Sequence, residues 1–280
     1  MGELEKVKFF HNNDLSIEYG VWGNGPEALL CFHGFGRSYR DFIEFTQPLK
    51  SRYTIYGINI FFHGKSEIGE RNVDKKPISK AEFTEFFEKF IDTVGEEKVT
   101  LMGYSLGGRV SMRITELLPQ RVKELFLFAP DGLVVSRWYA MLSHYRLGRT
   151  AFRFFIRHNT GFYSLLDFLN KTGLVSDRLR EFVLNETSSQ EKQWKVYRVW
   201  SFLRKSDPDL KKLSKALKRE KIPVKVFIGK YDKIIPLKNT RRLKKLYPKT
   251  EVFTVQSGHA LLTKRVMNEI CQRSLLELDA

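Results

Sequence analysis

The chain has 280 residues, 42% of them hydrophobic and 29% charged, which is enough apolar material to bury a substantial core and too much for a disordered chain. Its formal net charge of +16 invites a nucleic-acid reading, but the excess is concentrated in one interval and does not characterise the whole chain. The two cysteines, Cys31 and Cys271, exclude a disulfide framework or a cysteine-built metal cluster, and no apolar run approaches the roughly 20 residues of a membrane-spanning helix.

The N-terminal Met1-Gly-Glu-Leu-Glu-Lys-Val-Lys8 is charged where a signal peptide is apolar, so a cytoplasmic, reducing setting is expected, with both cysteines as packing residues. Val7 to Phe10 and Leu15 to Trp22, separated by Asn12-Asn-Asp14, read as a hairpin. Gly23-Asn-Gly-Pro26 turns the chain into Ala28 to Phe32, a buried central strand. A helix near Tyr39 to Leu49, a strand at Thr54 to Ile60, a helix at Lys80 to Val94 and a strand at Val99 to Met102 follow. A helix from Leu106 to Leu118, with Pro119 behind it, leads to a strand at Glu124 to Ala129. After a long helical interval come a strand at Val224 to Ile228, a helix at Leu237 to Leu246, a strand at Glu251 to Val255 and a helix from Ala260 to about Leu276. Strand–helix alternation of this kind predicts an α/β architecture with a mostly parallel sheet covered on both faces.

Gly103-Tyr-Ser105-Leu-Gly107 stands between the Val99 strand and the Leu106 helix. A serine on a tight strand-to-helix turn has strained backbone angles and needs its flanking side chains to vanish, which Gly103 and Gly107 allow. The helix starting behind Ser105 directs its free N–H groups and the positive end of its dipole at a developing oxyanion. An activated serine also needs an imidazole and a carboxylate. Among six histidines, His259 in Gln256-Ser-Gly-His-Ala260 lies in a loop between the last strand and helix, able to reach Ser105. His33 and His63 read as loop or oxyanion-framework residues, and His11, His144 and His158 as surface side chains. Asp232, in Gly229-Lys-Tyr-Asp232, follows a strand ending on the same sheet edge as Ser105; it is the candidate acid, against a helix-capping turn aspartate as the bland reading. Asp131, in Pro130-Asp-Gly132, is its rival.

Residues 136 to 221 hold 19 Lys and Arg against 8 Asp and Glu, together with Trp138, Trp194, Trp200, Phe152, Phe154, Phe155 and Phe162. On a helix, Arg149, Arg153 and Arg157 share one side and Phe152, Phe155 and Ile156 another. This is either a solvated face over a packed one, the commoner case, or a cap with an apolar underside and a basic surface suited to anionic substrates or lipid headgroups.

His33-Gly-Phe-Gly36, Gly64-Lys-Ser66, Gly103-Tyr-Ser-Leu-Gly-Gly108, Gly229-x-x-Asp232-x-x-x-Pro236 and Gly258-His259 together resemble the α/β-hydrolase superfamily over nearly the whole chain. The resemblance implies an oxyanion hole from the backbone N–H groups of Phe35 and Leu106, and a core of residues 1–132 and 222–280 with a helical, basic cap inserted at 133–221. One departure stands out: where capped relatives often read Asp-x-x-Gly-His-Gly-x-Ser, this chain reads Asn59-Ile-Phe-Phe62-His63-Gly64-Lys-Ser66. Serine at this strand-to-helix turn, the nucleophile elbow of the superfamily, also separates it from relatives with an aspartate nucleophile.

The expected activity is hydrolysis of a small-molecule carboxylic ester or thioester, anionic or lipophilic, by Ser105, His259 and Asp232, without metal or organic cofactor. Carbon–carbon bond hydrolysis or lyase and synthase chemistry on the same three residues is the alternative. A non-catalytic binding protein is the third reading, and the complete set of three residues speaks against it. Nucleic acid is not an expected partner; peripheral membrane contact through the basic insertion is the other partner considered.

Overall fold

The computed structural model describes residues 6–135, 137–158 and 187–273, with residues 163, 164, 167, 168, 170–172, 180, 181, 184 and 276 besides. Phe162 and the side chain of Trp138, both picked out in the sequence, lie outside the described residues. The chain divides into two compact units, the first comprising residues 1–70, 80–134 and 206–280 and the second residues 71–79 and 135–205.

In the first unit, eight strands among the described residues form one sheet: β1 (Lys6–Asn12), β2 (Leu15–Trp22), β3 (Glu27–Phe32), β4 (Tyr53–Ile58), β5 (Val99–Tyr104), β6 (Val122–Phe128), β7 (Val224–Gly229) and β8 (Glu251–Val255). Their order is β1-β2-β4-β3-β5-β6-β7-β8. The β1–β2 and β2–β4 pairs are antiparallel and all the others are parallel. The inner strands read as unbroken apolar runs because both faces are buried: β5 and β7 have no exposed residue. On one face Leu29, Cys31, Met102, Tyr104, Phe126 and Phe128 join a core that includes Phe42 and Phe45 of α1 (Asp41–Phe45) and Val266 and Ile270 at the C-terminal end. On the other, α2 (Lys80–Val94) buries Phe83, Phe86, Phe87, Phe90 and Ile91, the i, i+3, i+4, i+7, i+8 stripe of an amphipathic helix, and Phe87 meets Phe32 edge-on. Cys31 is fully buried, and burial pushes its thiol well above the ordinary cysteine range.

The helix expected at 39–49 ends at Phe45; a 3-10 turn at Gln47–Leu49, with Pro48 in it, replaces the rest. The C-terminal helix begins at Lys264, not Ala260, because Thr263 is its N-cap and accepts from the Val266 N–H. Residues 256–262 therefore remain outside helix and strand.

Helix α3 (Leu106–Leu117) belongs to the first unit, and the second contains α4 (Arg137–His144), α5 (Arg146–Arg157) and α6 (Gln190–Leu203). Its division differs from the expected insertion of 133–221 at both ends. The helix Leu210–Glu220, α7, groups with the first unit, with Leu210, Leu213 and Leu217 buried, the Asp209 N–H on Glu116 and Asp207 paired with Arg109. In exchange, residues 71–79 belong to the second unit: Asp74 accepts from Arg149, Arg153 and the Tyr197 hydroxyl, and Arg204 donates to the Val73 and Asp74 carbonyls.

Candidate active site

Ser105 closes β5 and caps α3 (Leu106–Leu117) with φ 51° and ψ −114°, angles that a side-chain-bearing residue keeps only when its surroundings hold it there. Three backbone hydrogen bonds do so. The Ser105 N–H donates to the Phe128 carbonyl, and the Ser105 carbonyl accepts from Gly108 and Asp131, each at 2.9 Å. A Cβ on Gly107 would stand 1.8 Å from the Phe32 carbonyl oxygen, and one on Gly103 would stand 2.5 Å from the Gly107 oxygen. Any side chain at either position would force α3 away from the sheet and carry the Ser105 hydroxyl with it.

His259 comes from the irregular segment after β8. Its Nδ1 lies 2.8 Å from Asp232 Oδ2 and its Nε2 lies 3.2 Å from Ser105 Oγ. The Tyr104 hydroxyl donates to the His259 carbonyl at 3.1 Å, which ties the histidine loop to the residue preceding the serine. Asp232 follows β7, and its carboxylate is enclosed by protein. Oδ1 accepts from the Ile234 and Ile235 N–H groups at 2.8 Å each, which fixes the carboxylate plane and leaves Oδ2 for the imidazole. The turn-capping role and the histidine contact, alternatives in the sequence, are thus filled by the two oxygens of one carboxylate.

Asp131 is engaged elsewhere. Its Oδ2 lies 2.5 Å from Arg109 Nη2 and its Oδ1 accepts from the Gly132 N–H at 2.7 Å. Arg109 also reaches Asp207 at 2.9 Å, so this carboxylate belongs to a partly buried ion cluster on α3.

The loop after β3 passes close to the serine: a Cβ on Gly34 would lie 3.3 Å from Ser105 Cβ. Two buried histidines brace that loop. His33 Nε2 accepts from the Ile60 N–H at 3.1 Å, and His63 Nε2 accepts from the Gly36 N–H at 3.1 Å. Phe35 and Leu106, the residues whose N–H groups the family resemblance implies as oxyanion donors, lie one on the braced loop and one at the start of α3. His11, His144 and His158 are exposed.

The departure at Asn59 has a local explanation. Asn59 Nδ2 donates to Glu18 Oε2 at 2.8 Å, the Lys65 N–H donates to the same oxygen at 2.8 Å, and Asn59 Oδ1 accepts from the Tyr39 N–H at 3.0 Å. An amide satisfies a carboxylate where a second carboxylate would oppose it. Phe62, standing where relatives have glycine, takes φ 67°. The buried Glu18 on β2 was not a sequence candidate; the missing acid at Asn59 was the one available pointer to it. Among the described residues, no group of three or more His, Cys, Asp or Glu is arranged to hold a metal ion.

Comparison with known proteins agrees with the architecture. The sequence is similar to the acetyltransferase component of an acetoin cleaving system from Cupriavidus necator, 28% identical over 125 residues, which is 45% of this chain and 32% of that protein. The first curated relatives are matched over only about a third of their own length. An uncharacterised hydrolase of Bacillus subtilis is 21% identical over 280 residues, 95% of each chain. Among solved structures, a carboxylesterase from Bacillus subtilis superposes with a TM-score of 0.62 at 17% identity, covering 98% of this chain and 91% of that one. The family model described as alpha/beta hydrolase fold matches residues 27–265, from β3 through the loop bearing His259 to the start of the last helix, and the chain belongs to that family.

Proposed function

We propose that this hydrolase cleaves a carboxylic ester or thioester through an acyl-enzyme on Ser105. The observation that carries the reading is the relay from Asp232 Oδ2 to His259 Nδ1 at 2.8 Å and from His259 Nε2 to Ser105 Oγ at 3.2 Å. With its proton on Nδ1, held toward Asp232, the imidazole presents a bare Nε2 to the serine hydroxyl. As Oγ bonds to the substrate carbonyl carbon, its proton passes to Nε2, and the imidazolium forms beside the Asp232 carboxylate. The carbonyl oxygen gains charge and is received by the Phe35 and Leu106 N–H groups at the positive end of α3. Collapse of the tetrahedral species breaks the bond to the alcohol or thiol, which leaves with the proton from Nε2. Water then gives a proton to Nε2 and attacks the acyl carbon; as the bond to Oγ breaks, Nε2 returns that proton to Oγ, which frees the acid and restores Ser105. The scheme needs no metal or organic cofactor. Likeness to a carboxylesterase supports an ester as the substrate class.

The test is labelling with a fluorophosphonate probe and turnover of p-nitrophenyl esters beside the corresponding thioesters. Wild type labels and turns over; Ser105→Ala stays folded, loses labelling and loses several orders of magnitude in kcat/KM, since members of such a set act as a unit. A wild type that ignores the probe while a known serine hydrolase reacts would overturn the nucleophile. Labelling without turnover of any ester or thioester would favour carbon–carbon bond chemistry on the same residues.

A further inference from the structure

Residues 137–158 hold five arginines, two histidines and no aspartate or glutamate. Helix α5 lies within this stretch and has two apolar faces. Phe152 and Ile156 form its packing side, buried in the second unit. Leu147 and Phe154 point away from it, 85% and 57% exposed. At about 100° per residue these two fall within roughly 20° of each other around the helix, with Ala151 beside them, so they form one outward stripe. Tyr145, 67% exposed, and Met141, 43% exposed, extend the apolar surface past the N-terminal end of the helix. Arg146 and Arg157, both exposed, border the stripe on one side. Arg149 and Arg153 instead turn to Asp74 within their own unit.

A single exposed leucine is ordinary, but an apolar stripe edged by arginine on a helix that already has a packed face asks for an occupant. The charge pattern selects it. An isologous contact with a second copy would bring this acid-free, arginine-edged surface against itself. An anionic bilayer supplies what the face lacks, an apolar layer for Leu147 and Phe154 beneath phosphates for the arginines. We infer that the outward face of α5 is a docking surface for anionic phospholipid bilayers. The inference does not depend on the chemistry at Ser105, and its test needs no activity.

The full chain is sedimented with vesicles of phosphatidylcholine alone and of phosphatidylcholine mixed with phosphatidylglycerol. Wild type is expected to follow the mixed vesicles and to remain in solution with the neutral ones, with binding that weakens as salt is added. Leu147→Ser with Phe154→Ser should lower the partition onto mixed vesicles by about tenfold or more at unchanged charge. Arg146→Gln with Arg157→Gln should lower it by a similar factor and flatten the salt dependence. Leu147→Ser alone, at the most exposed position, provides the same comparison if the double variant fails to fold. Wild type that ignores the mixed vesicles overturns the inference, as does equal binding by wild type and both double variants. A wild-type dimer that Leu147→Ser with Phe154→Ser dissolves, in the absence of vesicle binding, overturns it by assigning the stripe to a second copy.

Discussion

Asp232 and Asp131 each follow a parallel strand of the same sheet, and what separates them is their partners. Asp232 spends one oxygen on two backbone amides and offers the other to His259, whereas Asp131 faces Arg109 and the Gly132 N–H. Asp232→Asn should therefore leave the fold intact and cost about 10⁴-fold in kcat, the scale of losing imidazole orientation in such a set. Asp131→Asn should cost less than about tenfold, its effect falling on the Arg109 cluster and read as a lower melting temperature. The reverse ranking in a steady-state assay would move the acid to the end of β6. A second residue-scale prediction concerns Asn59. Aspartate there would set a carboxylate oxygen against Glu18 Oε2, now 2.8 Å from the amide nitrogen, in a buried site. Asn59→Asp should destabilise by about 2–4 kcal/mol, and adding Glu18→Gln should recover part of that loss, because the exchanged pair restores a donor opposite an acceptor while the Lys65 N–H loses the oxygen it now donates to. Denaturant melts of the two single variants and the double variant check the coupling; strict additivity would remove Glu18 as the reason for the departure.

At the scale of elements, Asp74 decides where residues 71–79 belong, and Tyr197 of α6 is the partner whose titration can be followed. Burial, together with the neighbouring Asp74 charge, pushes the Tyr197 hydroxyl up to about 12. A group whose proton is held more tightly in the folded state contributes stability below its unfolded pKa of about 10 and loses it as pH climbs toward the folded value. Tyr197→Phe should be less stable than wild type by about 1–2 kcal/mol at pH 8, through loss of the bond to Asp74, and the gap should narrow between pH 10 and about 12 as wild type pays the ionisation cost. A constant gap across that window, in chemical denaturation at stepped pH, would contradict the assignment. This contact also marks where the sequence stops being legible. The strands, α2 and the elbow could be read because their signals are local: unbroken apolar runs, one stripe of phenylalanines, two glycines about a serine. Asp232 and His259 could be read because a parallel sheet brings strand ends to one edge. Residues 71–79 could not, since their partners Arg149, Arg153, Tyr197 and Arg204 lie far along the chain and no local pattern announces them. Helix α7 falls inside the expected insertion because that interval closes only where the strand pattern returns at Ile222-Pro223; Leu210, Leu213 and Leu217 determine where it packs.

The molecule as a whole carries +16, and the segments of the second unit, 71–79 and 135–205, account for +10 of it. Asp74 absorbs part of the local field of Arg149 and Arg153, yet one carboxylate cannot neutralise two guanidiniums, so the excess persists beyond short range. A field of this sign raises the encounter rate of anionic substrates and leaves neutral ones untouched, and salt separates the two because the Debye length falls from about 30 Å at 0.01 M to about 3 Å at 1 M. If the charge serves the reaction, kcat/KM for p-nitrophenyl esters bearing a free carboxylate should fall by about tenfold across that range, through KM with kcat nearly constant, while neutral esters of equal length change by less than about twofold. The ratio of the two slopes is the informative quantity, since salt acting on the fold would move both substrates together. Equal slopes would mean that the charge of the second unit, beyond what Asp74 holds locally, does not serve substrate capture.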